Sequence, residues 1–446
     1  MLGQQKTKEL LKNVLKRSTT GQTEVIVIGK DEQLTRFANS VIHQNVSETN
    51  VTLTVRVALG QRVGAATTND LTGAGLDQVV ELATSMAQLQ PENPDFPGFP
   101  EPRPVPPLDA FDPTTAGFSP QDRARRVGVV CRRADEKGLS ASGAFSTAVD
   151  ELAVANSRGV MTHCARTVAE LVTVVMSEDS AGYAAEVAWK VDDVDVPALG
   201  DEAMAKALRG RAPRDLEPGT YTTILEPYAA QDLLAMLAST GLGALSFQEG
   251  RSWVEGRVGQ QVMAPCVSIW DDGFDLSGVP APFDFEGVPK QRVDLVKAGQ
   301  PQGVVYDVAT ASKQEGQAST GHALPPQWAT GRGPLPENMF MAPGDATLDE
   351  MIASTQRGLL VTRFNYTRPV HPRDVVVTGL TRDGTFVIEN GEIAYPVKNL
   401  RYTQSYLKLL AGTEMMGREP KTLKSYFGFR QAVALKLAEM SFVPAV

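Results

Sequence analysis

Apolar residues change their spacing several times along the chain, and each change marks a different element. "MLGQQKTKELLKNVLKRSTTG" sets Leu10, Leu11, Val14 and Leu15 at helical spacing between lysines, which predicts an amphipathic first helix. "EVIVIG", "QLTRFANSVIHQN", "NVTLTVRVAL" and "QRVGAATTND" follow with β-branched residues in partial alternation and Gly or Asn turns, predicting four strands of a small antiparallel sheet. Residues 71–90 return to helical spacing. Residues 91–107 then carry eight prolines in "PENPDFPGFPEPRPVPP", an extended strap across the surface. In "SPQDRARRVGVVCRRADEKGL", Ser119 supplies an N-cap and Pro120 the first helical position. A β-meander over residues 140–188 and the helix "ALGDEAMAKALRGRA" close this half.

Pro, Gly and charge cluster at "PRDLEPG" (213–219), which predicts a boundary there. The expected organisation is α+β, with an N-terminal α/β domain over 1–215 that includes the strap. A C-terminal β-rich, barrel-like antiparallel domain is expected over 216–446. In it the strand-like "GTYTTILE" runs straight into "PYAAQDLLAMLASTGLGAL". Pro227 suits the first helical position, Asp232 lies in the first turns, and Gly241 with Gly243 offers the exit. Leu233, Leu234, Met236 and Leu237 line that helix with alanines in the gaps, so it reads as packed core. Beyond residue 250 short strands dominate, interrupted by a helix over 348–358. Asp383-Gly384 and Asn390-Gly391, each between alternating hydrophobic residues, predict hairpin turns.

Composition narrows the class. At 446 residues the chain is too long for one ordinary core, and its net charge of −9 offers no general attraction to nucleic acid or to anionic membranes. The basic run "RARRVGVVCRR" (123–133) is expected to lie on the polar side of its helix. Cys131, Cys164 and Cys266 are far apart and odd in number, which suggests a reducing compartment and buried thiols. No run of about 18 apolar residues and no secretory pattern occurs, so a cytoplasmic protein is expected.

Catalytic motifs are scarce in the chain. The histidines, His43, His163, His322 and His371, lie nowhere within a helical turn of one another, so a short-spaced zinc motif is absent. His163 and Cys164 are neighbours, but adjacent residues of a strand point to opposite faces. Neither a G-x-S-x-G elbow nor a phosphate-binding glycine loop occurs. "VTRFNYTRPVHPR" (361–373) does concentrate Arg363, Tyr366, Arg368, His371 and Arg373, the residue types of recognition surfaces.

Taken together, the stretch after "GTYTTILEP", the run "GQQVMAPCVSIWDDG" and "TGLTRDGTFVIENGEIAYPVKNLRYTQS" resemble the TldD/PmbA family, also described as modulators of DNA gyrase; "LTRFANSVIHQNVSETNVTLTVRVALGQRVGAATTNDL" extends the resemblance to nearly the full chain. The resemblance implies a cytoplasmic two-domain protein working as a dimer. In the TldD branch an H-E-x-x-x-H zinc motif occupies the helix after the strand equivalent to "GTYTTILE". On that pattern its two histidines and glutamate fall at about Ala235, Met236 and Thr240. A late cysteine of TldD-type chains is missing too. This chain therefore resembles the PmbA/TldE branch, which lacks the metal.

Two expectations follow from the resemblance. In the first, this chain is a non-catalytic, metal-free subunit that pairs with a zinc-bearing TldD-like chain to hydrolyse flexible peptides; it supplies part of a chamber and substrate guidance, and Arg363, Tyr366, Arg368 and His371 contact substrate or partner. In the second, it is an independent homodimeric binding protein or a biosynthetic enzyme with non-zinc chemistry.

Overall fold

A computed structural model describes residues 1–445. The chain begins with α1 (Gln4–Arg17), β1 (Gln22–Ala38), β2 (Val41–Leu59), β3 (Arg62–Thr68), α2 (Gly73–Leu89), the single-turn α3 (Pro113–Ala116) and α4 (Pro120–Glu136); β4 (Ser140–Asn156), β5 (Met161–Met176), β6 (Ala181–Ala188) and α5 (Val196–Arg209) follow. The six strands form one antiparallel sheet in the order β3-β2-β1-β4-β5-β6. "EVIVIG" and "QLTRFA" prove to be a single strand, β1, so the four expected strands are three. The turn lies at Asn39 and Ser40, whose φ values of 50° and 58° give the left-handed pair a tight hairpin requires.

Helices cover one face of this sheet in two groups. Leu11 and Val14 of α1 pack with Val79, Val80 and Ala83 of α2 on Val25, Val27 and Val55. Val127 and Val130 of α4 pack with Leu199 and Ala203 of α5 on Phe145 and Leu171. Ser119 caps α4 with Pro120 in the first turn, as the sequence predicts, and Asp122 completes a capping box. Arg123 departs from expectation: rather than lying on the solvent side, it is wholly buried and donates to the Phe118 carbonyl (2.7 Å) and to Thr35 and Thr147. Those acceptors make a burial tolerable that an unpaired guanidinium could not survive. The proline strap is tied to the sheet by Phe99, which is buried, and by Asn156 Nδ2 donating to the Pro100 carbonyl (2.8 Å).

The second half contains β7 (Gly219–Leu225), α6 (Pro227–Gly241), β8 (Ile269–Asp271), β9 (Val293–Lys297), β10 (Gln300–Pro301), β11 (Asn338–Met341), β12 (Arg357–His371) and β13 (Val376–Glu389). It ends with β14 (Glu392–Pro396), β15 (Leu400–Ser405), β16 (Thr413–Met416), β17 (Lys421–Lys424), β18 (Phe429–Ala432) and β19 (Leu435–Pro444). Five strands close a barrel in the order β12-β7-β19-β15-β13, the last pairing back to β12. β7 and β12 run parallel, so the barrel is mixed rather than wholly antiparallel; α6 and more than a hundred further residues form the crossover such a pair needs. A second sheet, β10-β9-β8-β11-β18-β17, packs alongside.

Two turn expectations part company. Asn390 (φ 54°) and Gly391 (φ 81°) do turn the chain from β13 to β14. Asp383 and Gly384 do not: they lie inside β13, where φ values of 55° and 126° produce a bulge opposite β12, and the strand continues to Glu389. The inserted helix is shorter than expected, Leu348–Ala353, because Arg357 already belongs to β12.

Helix α6 is the core element its pattern predicts. Leu233, Leu234 and Leu237 are fully buried among barrel residues, and the Trp253 indole donates to the Leu237 carbonyl (2.9 Å). Gly241 lies against Trp253, where a Cβ would meet the ring at 2.4 Å. The cysteines correct another expectation: Cys131 is buried, but Cys164 is half-buried and Cys266 exposed.

Candidate functional site

Helix α6 carries polar systems only at its N-terminal end. Glu226 precedes Pro227 and is 4% exposed. Its carboxylate receives the Lys206 ammonium of α5, which also donates to Glu202 Oε1 (2.7 Å) and to the Tyr183 carbonyl (3.2 Å). Glu202 in turn accepts from the Tyr228 hydroxyl (2.9 Å) and from Lys421 (3.1 Å). Burial opposes the charge on both Lys206 and Glu202. For Lys206 the carboxylates of Glu226 and Glu202 outweigh that cost and raise its pKa; for Glu202 the two lysines outweigh it and lower its pKa. Lys206 and Glu202 therefore both keep their charges.

It forms one wall of a cleft of about 810 Å³ between α5 and the barrel. Leu348 and Ile393 add apolar surface opposite, and Arg209, Arg418 and Glu419 stand at the margin. Glu186, also on the wall, is pushed upward by burial, against the pull of Lys421 and assisted by Glu202.

One turn further along α6, Asp232 accepts from Thr367 Oγ1 (3.0 Å) and from the Tyr406 hydroxyl (2.8 Å), and Tyr406 pairs with Tyr402 (2.7 Å). Burial raises the Asp232 carboxyl to about 6, although both hydrogen bonds oppose the shift. Asp232 borders a small cavity of about 100 Å³ with Tyr183, Phe364 and Arg363.

The candidate metal positions are chemically bare. Ala235 offers a methyl group and Met236 a thioether, and the Thr240 hydroxyl is committed to the Met236 carbonyl at 2.6 Å. Among the described residues no group of three His, Cys, Asp or Glu side chains converges to hold a metal ion. Zinc needs thiolate, imidazole or carboxylate donors, so the residues here do not fit it.

The recognition residues are scattered rather than convergent. Arg363 is partly buried, paired with Asp383 and stacked 4.3 Å over the Tyr183 ring. Tyr366 is 71% exposed with a φ of 52°. Arg368 is exposed, and His371, also exposed, lies 3.2 Å from Asp374. His163 and Cys164 diverge: His163 Nε2 meets Glu151 Oε1 (2.8 Å), whereas Cys164 packs toward Phe283.

The Lys206–Glu202–Glu226–Lys421 network is not legible in the sequence. Its only local signal was the one-turn spacing of Glu202 and Lys206; the other members come from β17 and from the β7–α6 junction.

The closed mixed barrel and the six-stranded sheet that precedes it each contain a stretch that matches a family domain. Residues 218–442 match the PmbA/TldA metallopeptidase C-terminal domain and residues 23–87 match domain 1 of the same group, and the chain belongs to the PmbA/TldD family. A metalloprotease PmbA homolog of Haemophilus influenzae is 27% identical over 402 residues, covering 85% of this chain and 84% of its own. The metalloprotease TldD homolog of the same organism is 24% identical over 384 residues, covering 81% and 78%. The fold matches the crystal structure of TldE from Thermococcus kodakarensis, with a TM-score of 0.88, 18% identity and coverage of 98% and 99%. A Thermotoga maritima protein described as a modulator of a DNA gyrase gives a TM-score of 0.86 at 20% identity, covering 98% and 99%.

Proposed function

We propose that this chain is the metal-free subunit of a two-chain zinc peptidase of the TldD/TldE kind, acting on flexible peptides in the cytoplasm. The observation that carries this reading is α6 itself. Within a family named for its metallopeptidases, the helix keeps its packing, while Ala235, Met236 and Thr240 stand where the metal motif is expected. Hydrolysis would then belong to the partner, whose zinc would activate the water and whose glutamate would carry the proton. This chain contributes chamber wall and substrate guidance, with Tyr366, Arg368 and His371 as exposed contacts for partner or peptide and Arg363 bracing the strand that bears them.

The experiment is reconstitution. The chain alone, an H-E-x-x-x-H relative from the same genome alone, and their mixture are each assayed on an unstructured peptide. Copurification, with cleavage by the mixture that a chelator abolishes, is the expected result. Robust hydrolysis by this chain alone that withstands the chelator would overturn the reading and favour an independent enzyme; a homodimer indifferent to the relative would favour an independent binding protein.

A further inference from the structure

Two exposed features, one in each half of the chain, have complementary chemistry. The first lies in the proline strap. From Glu101 to Pro107 every residue is a proline or stands directly before one, so ring closure and the clash with the following ring confine the run to the extended polyproline conformation. Pro102, Pro104, Pro106 and Pro107 are all exposed. Among the described residues no backbone hydrogen bond involves residues 101–108, which leaves a row of unpaired carbonyls with an N–H only at Glu101, Arg103, Val105 and Leu108.

The second is an aromatic cluster. Trp328, in the single-turn helix Pro326–Ala329, meets Tyr426 and Phe427 of the turn between β17 and β18 edge to face, with ring centroids 5.9 Å and 6.1 Å apart, and Tyr426 meets Phe427 at 4.8 Å. The Arg332 guanidinium stacks 4.8 Å over the Phe427 ring. Tyr426 is 77% exposed and Trp328 41%, a large apolar area to leave in water. Among the described residues neither the Trp328 indole N–H nor the Tyr426 hydroxyl has a hydrogen-bond partner, so the rings carry free donors at their edges.

Ring faces beside free donors select a ligand that brings apolar rings and acceptors. A helix spends its carbonyls internally and a strand brings as many donors as acceptors, whereas a polyproline run offers pyrrolidine rings and solvated carbonyls with few N–H groups. The strap is also held in place. Arg158 donates to the Phe99 carbonyl (2.6 Å) and Asn156 to that of Pro100 at one end, the Thr167 N–H donates to the Ala110 carbonyl (3.1 Å) at the other, and Arg103 reaches the Ser319 carbonyl (3.3 Å) between them. Anchored in this way it stays on its own sheet, and its shape is set before any contact forms, which removes most of the ordering cost of docking.

We infer that the Pro100–Pro107 run of one copy of this chain docks on the Trp328–Tyr426–Phe427 cluster of a second copy. A two-fold axis makes the contact twice and leaves neither feature over, whereas a one-way contact would string copies into a filament. The inference is independent of the peptidase reading. Self-association here needs no zinc-bearing chain, and cleavage by a two-chain peptidase needs no strap contact, so either can fail alone.

The test is sedimentation velocity of the full chain, with a reductant present because Cys266 is exposed. Between about 1 and 100 μM the wild type should pass from monomer to dimer. Trp328→Ala with Tyr426→Ala, and separately Pro104→Ala with Pro107→Ala, should each weaken the dimer at least about tenfold, as loss of central anchors does. Each double variant keeps the feature the other lacks, so their mixture should recover a dimer with one intact contact, a rescue that misfolded chains could not give. The capped peptide of residues 100–108, PEPRPVPPL, should compete the wild-type dimer apart. A wild-type chain that stays monomeric over this range overturns the inference, and if it nevertheless binds the peptide the site belongs to a proline-rich segment of another protein. A wild-type dimer that excess peptide leaves intact overturns it as well, whatever the variants do.

Discussion

The Tyr406 hydroxyl donates to Asp232 Oδ2 at 2.8 Å, joining the helix Tyr406–Ala411 to the first turns of α6. Burial holds that carboxyl at about 6, above its ordinary value of 3.8. A carboxyl raised in the folded state binds more protons folded than unfolded, so its contribution to stability is present at low pH and is lost as pH rises from about 4 to 6. The Asp232→Asn variant should therefore gain on the wild type across that interval, by an amount on the order of 2 kcal/mol. Denaturant titrations of both proteins at pH 4 and pH 7 measure it; a constant difference would mean that Asp232 ionises normally.

Leu237 is fully buried and Thr240 nearly so, but they should respond very differently. Leu237→Asp places an unpaired charge in the barrel core and should cost about 3 kcal/mol or more. Thr240→Ala removes a hydroxyl that bonds back to its own helix and should cost under about 1 kcal/mol. Thermal melts of the two variants decide whether α6 is core.

Lys206 neutralises Glu226, which is 4% exposed, and shares Glu202 with Lys421. Lys206→Met should destabilise the protein by about 3–5 kcal/mol by stranding a buried carboxylate. Adding Glu226→Gln should recover a large part of that loss, which a double-mutant cycle reads directly. Strictly additive losses would show that the two groups do not interact.

The arginines of β12 separate stability from recognition. Arg363→Ala leaves Asp383 without its main partner and uncovers Tyr183, so it should lower the stability of this chain by about 1–3 kcal/mol. Arg368→Ala removes an exposed side chain and should leave stability within about 0.5 kcal/mol of the wild type. Under the two-chain reading only Arg368→Ala is a clean probe of assembly; reduced cleavage by the mixture with an unchanged melting temperature is the expected result.

Zinc retention after mild chelation is the simplest test of the bare helix. Elemental analysis should find no stoichiometric zinc, and Ala235→His should not introduce it, because one imidazole does not make a three-ligand site. One zinc per wild-type chain would refute the assignment.

Local signals in the sequence were dependable where a single residue type sets the backbone. Pro227, the Ser119 cap and Asn390-Gly391 each stand where the chain pattern predicts a start or a turn. Asp383-Gly384 carries the same dipeptide signal, but β12 pairs on both sides of it and Arg363 holds the aspartate, so long-range pairing turns a hairpin motif into a bulge. Buried charge was illegible for a related reason. Arg123 sits in a run that looks solvated, and two of its three acceptors are Thr35 and Thr147, 88 and 24 residues away. Lys421 meets Glu202 across 219 positions, and no window of the sequence contains both. The candidate metal positions rest on comparison with a motif alone, since alanine, methionine and threonine on a core helix announce nothing by themselves.

The order of strands in the barrel also constrains how the molecule is made. β7 lies between β12 and β19, so a strand near residue 220 acquires one neighbour near residue 360 and the other beyond residue 434. The six-stranded sheet can complete its pairing once residue 188 has left the ribosome. The barrel cannot close until residue 444 has emerged. During the translation of more than 200 intervening residues β7 keeps at least one unpaired strand edge, a period in which chaperone capture or a slowed ribosome would have the greatest effect on yield.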